Sequence, residues 1–257
     1  MKKNLFVIVY FALIVFICIA CSSMQPYKKY LLAYREIWEA SSFVLEKSNS
    51  LVVSKNVFGI GNMVETNQTL KETYQFIKKN SEYMYLASIE MSNLEDDTIM
   101  LNQYYHDGYL YSQTINNPDD DYRIQQTDDF AIRTVLEGVI VFPEDVIAEQ
   151  SSIDTDEGTM LTFLMDSKKY YEYCFPYIST GYNYDEFSSF REPPQYSVLL
   201  NCKGQIQRVS GRFCTINSDA TAYVWDRSYV IIFTQYDDVE FDFQKLENEW
   251  PIIYNHK

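Results

Sequence analysis

The chain holds two histidines, His106 and His256. A Ser–His–Asp or Cys–His nucleophile would have to use one of them. His106 stands in "YYHDGYLY", beside an Asp-Gly pair that reads as a tight turn, and a turn is a solvated position. His256 is the penultimate residue, where a chain frays. Neither is read as catalytic. Zinc wants Cys and His at clustered spacing, and Cys174, Cys202 and Cys214 are scattered. Carboxylates are abundant, 36 Asp and Glu in all, so a glycosidase-type pair is compatible with composition. No pair stands out by spacing. "DTDEG", Asp154 to Gly158, has the opening of a calcium loop but lacks the later oxygen ligands and the closing bidentate Glu; a hairpin loop is the better reading. "FGIGN" has no third glycine and no helix start at the spacing a phosphate loop needs. The expectation is a non-enzymatic protein with no catalytic residue, no metal ligand and no cofactor.

One cysteine does suggest chemistry. Lys2 and Lys3 precede an uncharged run, Leu5 to Ala20, which is followed at once by polar sequence, "CSSMQPYKKY". A basic start, a short apolar core and a small residue at the boundary are the parts of a secretory signal. The run is shorter than the roughly 20 residues of a membrane-spanning helix. Cys18 and Cys21 form a C-x-x-C, but Cys18 lies inside the apolar segment, away from any scaffold that could lower a thiol pKa. "IACSS" resembles a bacterial lipobox, with Ala20 as the small residue and Cys21 as the acceptor of diacylglycerol. Cys18 occupies a position where leucine is usual. An uncleaved anchor and a plain secreted protein are the alternatives, and all three put the body of the chain outside the membrane. The expected organisation is a signal peptide over 1–20, a lipidated tether over 21–28 and one domain over 29–257.

Charge restricts the partners. The chain carries 21 Lys and Arg against 36 Asp and Glu, a net charge of −15. That argues against nucleic acid, which needs a basic footprint, and against direct adhesion to an anionic lipid surface. Membrane attachment is expected through Cys21, since two acyl chains anchor where one is marginal. Three cysteines remain beyond it, an odd number. Small apolar fillers are preferred to a disulfide, with any pairing left open.

The elements that would position a site are mostly strands. With 23 Tyr and 16 Phe against 8 Gly, the composition suits pleated surfaces. "YKKYLLAYREIWEASSFVLEKSNS" reads as a helix with Leu31, Tyr34, Ile37 and Trp38 on one stripe, although Phe43 and Leu45 fit that stripe poorly. "LVVSKNVFGIGNMVE" reads as a strand. "TLKETYQFIKKN", within 69–80, fits a helix or a strand. "SEYMYLASIEMS" alternates at period two. "TIMLNQYYHDGYLYSQTI" is a hairpin around Asp107-Gly108. "TDDFAIRTVLEG" is a helix with an acidic first turn, stopping at Gly138. "DSKKYYEYCFPYIST" is a short helix capped by Asp166 or Ser167 and broken by Pro176. The last quarter is a meander: a hairpin around Lys203-Gly204, then the long strand "TAYVWDRSYVIIFTQY".

A lipobox, an amphipathic helix, an antiparallel meander with the aromatic "DGYLY" hairpin, helical insertions and a C-terminal "KGQI" hairpin together resemble the LolA/LppX-like lipoproteins of the bacterial cell surface, a pattern that covers most of residues 27 to 245 with no single diagnostic motif. The resemblance implies an α+β fold: a curved antiparallel β-sheet, an incomplete barrel, with helices covering the concave face. It also implies a lipid-anchored protein on the extracellular side of the cell membrane that binds or carries a hydrophobic ligand such as a lipid acyl chain. It carries over no catalytic or ligand-lining residue. "SYVIIF" is apolar on both faces, with Tyr229, Ile231 and Phe233 on one and Val230 and Ile232 on the other. Such a strand needs a covering layer, a cavity or a partner. The alternative function is a non-enzymatic surface interaction or sensor module that grips a protein or glycan.

Overall fold

The computed structural model describes residues 24–57, 61–79, 82–93, 98–115, 121–174, 188–190, 192–217, 223–237 and 239–240. Cys21 and the whole of 1–20 lie outside them, as does His256. The fold is α+β. Helix α1 (Pro26–Glu39) leads into strands β1 (Ser42–Val57), β2 (Gly61–Lys79), β3 (Glu82–Ser92), β4 (Thr98–His106), β5 (Tyr109–Thr114) and β6 (Tyr122–Gln125). Helix α2 (Asp128–Val135) and a 3-10 turn (Glu144–Val146) follow, then β7 (Ile147–Thr155), β8 (Gly158–Met165), helix α3 (Ser167–Cys174), β9 (Ser188–Phe190), β10 (Gln195–Leu200), β11 (Ile206–Asn217) and β12 (Tyr223–Tyr236). Eleven strands run in the order β6-β5-β4-β3-β2-β1-β12-β11-β10-β8-β7, with β9 paired to β11. Every pairing is antiparallel. The sheet is not closed, and the helices pack on it.

The first helix is shorter than the sequence suggests. It starts at Pro26, whose missing N–H is no loss in a first turn, and ends at Ala40, whose N–H bonds to the Glu36 carbonyl. Phe43 and Leu45 fit the helical stripe poorly because they belong to β1, where both are fully buried at period two. The buried helix face is Tyr27, Tyr30, Ala33 and Ile37, whereas Leu31 is exposed. Ser41 then ties the junction down: its N–H and hydroxyl both bond to Asp237 Oδ1, at 2.8 and 3.0 Å. "LVVSKNVFGIGNMVE" supplies parts of two strands, β1 and β2, rather than one. Residues 69–79 are strand: Tyr74 and Phe76 are buried at period two, which no helix face would do.

The hairpin of β4 and β5 turns at Asp107 and Gly108, both with positive φ, 51° and 74°, as a tight primed turn requires. Thr127 caps α2 by accepting from the Phe130 N–H, and Asp166 accepts from the Lys169 N–H at the start of α3.

The core lies on the helix-bearing inner face. Register aligns its rows across strands. One row runs Phe43, Phe76, Tyr85, Tyr105; the next runs Phe233, Leu45, Tyr74, Ala87. Phe43 stacks on Phe76 at 4.6 Å and Tyr85 on Tyr105 at 5.6 Å between ring centroids. On the outer face a small second cluster joins Met84 and Tyr104 with Ile77, Leu86, Tyr111 and Val239. This is why both Tyr104 and Tyr105 are buried. For "SYVIIF" the two faces divide plainly: Ile231 is 1% exposed under the covering layer and Ile232 is 38% exposed outside.

Candidate ligand-binding cleft

Between α2 and β7 the chain crosses the inner face as an irregular strap, 136–143. A loop inside a fold must satisfy its backbone polar groups without a ladder. Here tyrosine hydroxyls do it. Tyr30 donates to the Ile140 carbonyl at 2.6 Å, and Ile140 N–H donates to the Tyr196 oxygen at 3.2 Å. The two hydroxyls lie 2.9 Å apart. Because the Tyr30 proton is committed to Ile140, the Tyr196 proton goes to the Tyr30 oxygen, nearer than its other acceptor, the Gly138 carbonyl at 3.4 Å, and closes a ring through both polar groups of Ile140. Tyr27 donates to the Phe142 carbonyl, and Tyr173 of α3 donates to the Val141 carbonyl at 2.7 Å. Burial pushes the Tyr30 and Tyr196 phenols well above the ordinary tyrosine range, so both stay protonated donors.

Lys47 fastens the other end. It sits in an inner row between Ile231 of β12 and Glu72 of β2 and is 3% exposed. Its Nζ donates to the Thr134 carbonyl in the last turn of α2 at 2.7 Å. Glu72 Oε2 is 4.0 Å away, and the Tyr74 ring centroid 4.7 Å. A cation suits a helix C-terminus, and the ring face adds a cation–π contact. Burial lowers the Lys47 pKa, opposed by Glu72 and Glu137. Tyr74 donates to Glu72 Oε1 at 2.8 Å, and burial followed by that carboxylate raises its pKa far above the ordinary value.

Two glycines set the strap's height over the sheet. Gly138 has φ +93°, and a Cβ there would lie 2.8 Å from Ile231 Cδ1 and 3.3 Å from the Tyr229 ring. Gly211 lies beneath the same ring, where a Cβ would stand 2.4 Å from it. Tyr229 is therefore held flat between strap and sheet. Beside it lies a half-open cleft of about 470 Å³, within the roughly 300–1,000 Å³ of small-molecule sites. Leu51, Leu70, Met91, Ile140, Phe213 and Tyr229 supply its apolar lining; Lys47, Glu137 and Arg227 are its charged residues. Its floor continues along one register row, Leu70–Met91–Ile99, where Met91 and Ile99 are 40% and 48% exposed.

The residues singled out from the sequence are placed elsewhere. His106 is the last residue of β4, at the hairpin turn, stacked against Tyr104. Cys202 is an exposed thiol at the β10–β11 turn. Cys214 stands opposite Asp226, eight residues along β11 from Ile206, roughly 26 Å at strand rise, far beyond disulfide reach from that turn. The side chain of Cys174 lies outside the described residues, like Cys21. "DTDEG" is the β7–β8 hairpin turn. Among the described residues no three His, Cys, Asp or Glu side chains come together as a metal site, and no helix is long and apolar enough to cross a membrane.

Of the lining, the sequence pointed to Tyr229 through "SYVIIF"; Lys47, Arg227 and the rest were missed. A signal existed: Phe43, Leu45, Lys47, Asn49 and Leu51 alternate with Val44, Glu46, Ser48 and Ser50. Assigning that stretch to the helix hid it.

Neither a protein-family model nor a curated relative matches the sequence. Among solved structures the chain is similar to a beta-barrel-like protein of domain of unknown function DUF1849 from Brucella abortus: 6% identity, covering 78% of this chain and all of that one, with a TM-score of 0.22. It is also similar to a 12:0-ACP thioesterase from Umbellularia californica at 7% identity, 76% and 77% coverage and a TM-score of 0.15. These likenesses are too slight to carry a function. The chain is a large antiparallel β-sheet protein that distantly resembles the first of them.

Proposed function

We propose that this chain is a divergent LolA/LppX-like lipoprotein, anchored through Cys21 on the outer side of a bacterial cell membrane, and that it binds a hydrophobic ligand, such as a lipid acyl chain, in the cleft beside the strap. The observation that carries the reading is the cleft itself: about 470 Å³, half-open, with aliphatic and aromatic walls above an unclosed sheet. Burying methylenes there contributes about 0.8 kcal/mol each, so lodging about six yields roughly 5 kcal/mol before the cost of association.

A fluorescent fatty acid titrated onto the purified protein tests this. Saturable binding is expected. Leu70→Trp fills the cleft from β2 and lowers affinity by about tenfold or more, a loss of about two methylenes' worth of burial. Ile232→Trp, on the outer face, is the control and leaves binding as it was. Absence of saturable binding, or equal binding by Leu70→Trp and the parent, overturns the ligand reading and leaves a surface interaction module.

A further inference from the structure

We infer that Tyr229 limits the length of the chain the cleft accepts. The inference rests on the cleft being the ligand site, and it concerns the ligand's tail alone. Register puts Tyr229 of β12, Asn49 of β1, Leu70 of β2, Met91 of β3 and Ile99 of β4 in one inward row. The first four line the cleft, so the lane for a chain crosses the strands along this row. Beyond Tyr229 the same row continues with Gly211 of β11 and Tyr196 of β10.

The two ends of the lane differ. At one, Met91 and Ile99 are 40% and 48% exposed, and this end is the mouth. At the other, Tyr229 lines the cleft and also packs against the buried core. Its ring reaches sideways over the neighbouring strand. A Cβ on Gly211 would lie 2.4 Å from its Cε1 and Cζ, and one on Gly138 would lie 3.3 Å from its Cε2. Gly211 brings no side chain to the row, and the ring of Tyr229 takes the place one would have. A chain that enters tail-first past Met91 meets that ring. Three strand spacings separate Met91 from Tyr229, roughly 14 Å, which is room for about twelve chain bonds at ~1.2 Å of extended reach each. Without the ring the lane continues over Gly211 for one more spacing, roughly 4.8 Å or about four carbons, and Tyr196 ends it.

The even-numbered saturated fatty acids from octanoate to hexadecanoate share one head, so only length varies. Each is competed against the fluorescent fatty acid on the full chain held in amphipol, with amphipol alone subtracted. In the parent, affinity is expected to rise by up to about fourfold per added carbon and to level off near dodecanoate. In Tyr229→Ala the rise continues to hexadecanoate, which binds about tenfold or more tighter than it binds the parent. Tyr229→Leu, the milder opening, moves the limit by about half as far and carries the test if Tyr229→Ala does not fold. Tyr229→Phe keeps the ring and the parent's limit. Adding Gly211→Leu to Tyr229→Ala refills the place above β11 and restores that limit. A limit unmoved in the opening variants, moved in Tyr229→Phe, or still moved after Gly211→Leu is added overturns the inference while the cleft reading stands. If neither the fluorescent probe nor any member of the series binds saturably, the inference and the ligand reading fall together.

Discussion

Replacing Tyr196 by Phe removes one oxygen from the ring that joins Tyr30, Tyr196 and Ile140. Its consequences follow from counting protons. In the parent each hydroxyl donates once and accepts once, and both polar groups of Ile140 are met. Without the Tyr196 oxygen, the Ile140 N–H has no acceptor and the Tyr30 oxygen loses its donor. Tyr196 is 4% exposed and Tyr30 fully buried, so water does not substitute cheaply. An orphaned buried donor costs about 1–3 kcal/mol. For a domain of this size that lowers Tm by roughly 2–4 °C per kcal/mol. Tyr30→Phe orphans the Ile140 carbonyl instead and is expected to cost a similar amount. In the double variant the hydroxyl-to-hydroxyl contact is already gone, so the two losses do not add; a coupling of about 0.5–3 kcal/mol is expected between directly bonded groups. Urea unfolding gives the free energies, and native-state hydrogen exchange at the Ile140 amide reports the local opening. Single variants within about 0.5 kcal/mol of the parent, the range of ordinary surface changes, would refute the ring, as would additivity within about 0.3 kcal/mol.

Alkaline pH should unfold this protein early. Tyr30, Tyr74, Tyr85, Tyr196 and Tyr236 all have folded-state pKa values raised above the ordinary 10.0, chiefly by burial. The stability they contribute is complete below about pH 10 and is lost as pH rises beyond it, because only the unfolded chain releases those protons readily. Lys47 has the opposite sign: its lowered pKa makes burial less costly as pH rises toward the ordinary lysine value, but it is one group against five. A urea midpoint at about pH 11 no lower than at about pH 8 would contradict this. Cys21→Ala should abolish metabolic labelling by a fatty-acid analogue; continued labelling, with cleavage at the same place, would remove the lipoprotein assignment.

The meander was legible because its signals are local. Asp107-Gly108 and the period-two run through Tyr85, Ala87 and Ile89 each announce a strand or turn within a few residues, and each is found where read. The junction at 40–45 was not legible. Glu36 through Leu45 is continuously rich in aromatic and aliphatic residues, and the switch from period 3.6 to period two carries no Gly or Pro to mark it. What fixes it is distant in sequence: Asp237, which grips Ser41, and the pairing of Phe43 and Leu45 with β2 and β12. The stretch 69–79 was ambiguous for the same reason, since its partner strands on both sides decide its period.

The cleft could not be read locally at all. Its lining comes from β1, β2, β3, β11 and β12, together with the strap and α3, and only register brings Leu51, Gln68, Phe213 and Arg227 into one row. The tyrosine excess was a visible clue with a second meaning. Tyrosine suits a pleated surface, and many of these do lie on strands. Tyr27, Tyr30, Tyr173 and Tyr196 serve differently, reaching across apolar space to satisfy the backbone of a segment that has no ladder. A stiff aromatic arm with one polar tip suits that role, since it fills volume along its length and leaves a hydroxyl only at the end. The same arms decide where the interior is solid and where it is open. Where the tyrosines of α1 and β10 hold the strap down, rings from both sides close the space. Beside Gly138 and Ile140, where Tyr229 lies over Gly211, the cleft stays open. On the proposed function, stability and binding would be coupled through one segment. A change that loosens the Ile140 ring also moves a wall of the cleft, so affinity for an apolar probe and exchange at the Ile140 amide should change together across a series of strap variants.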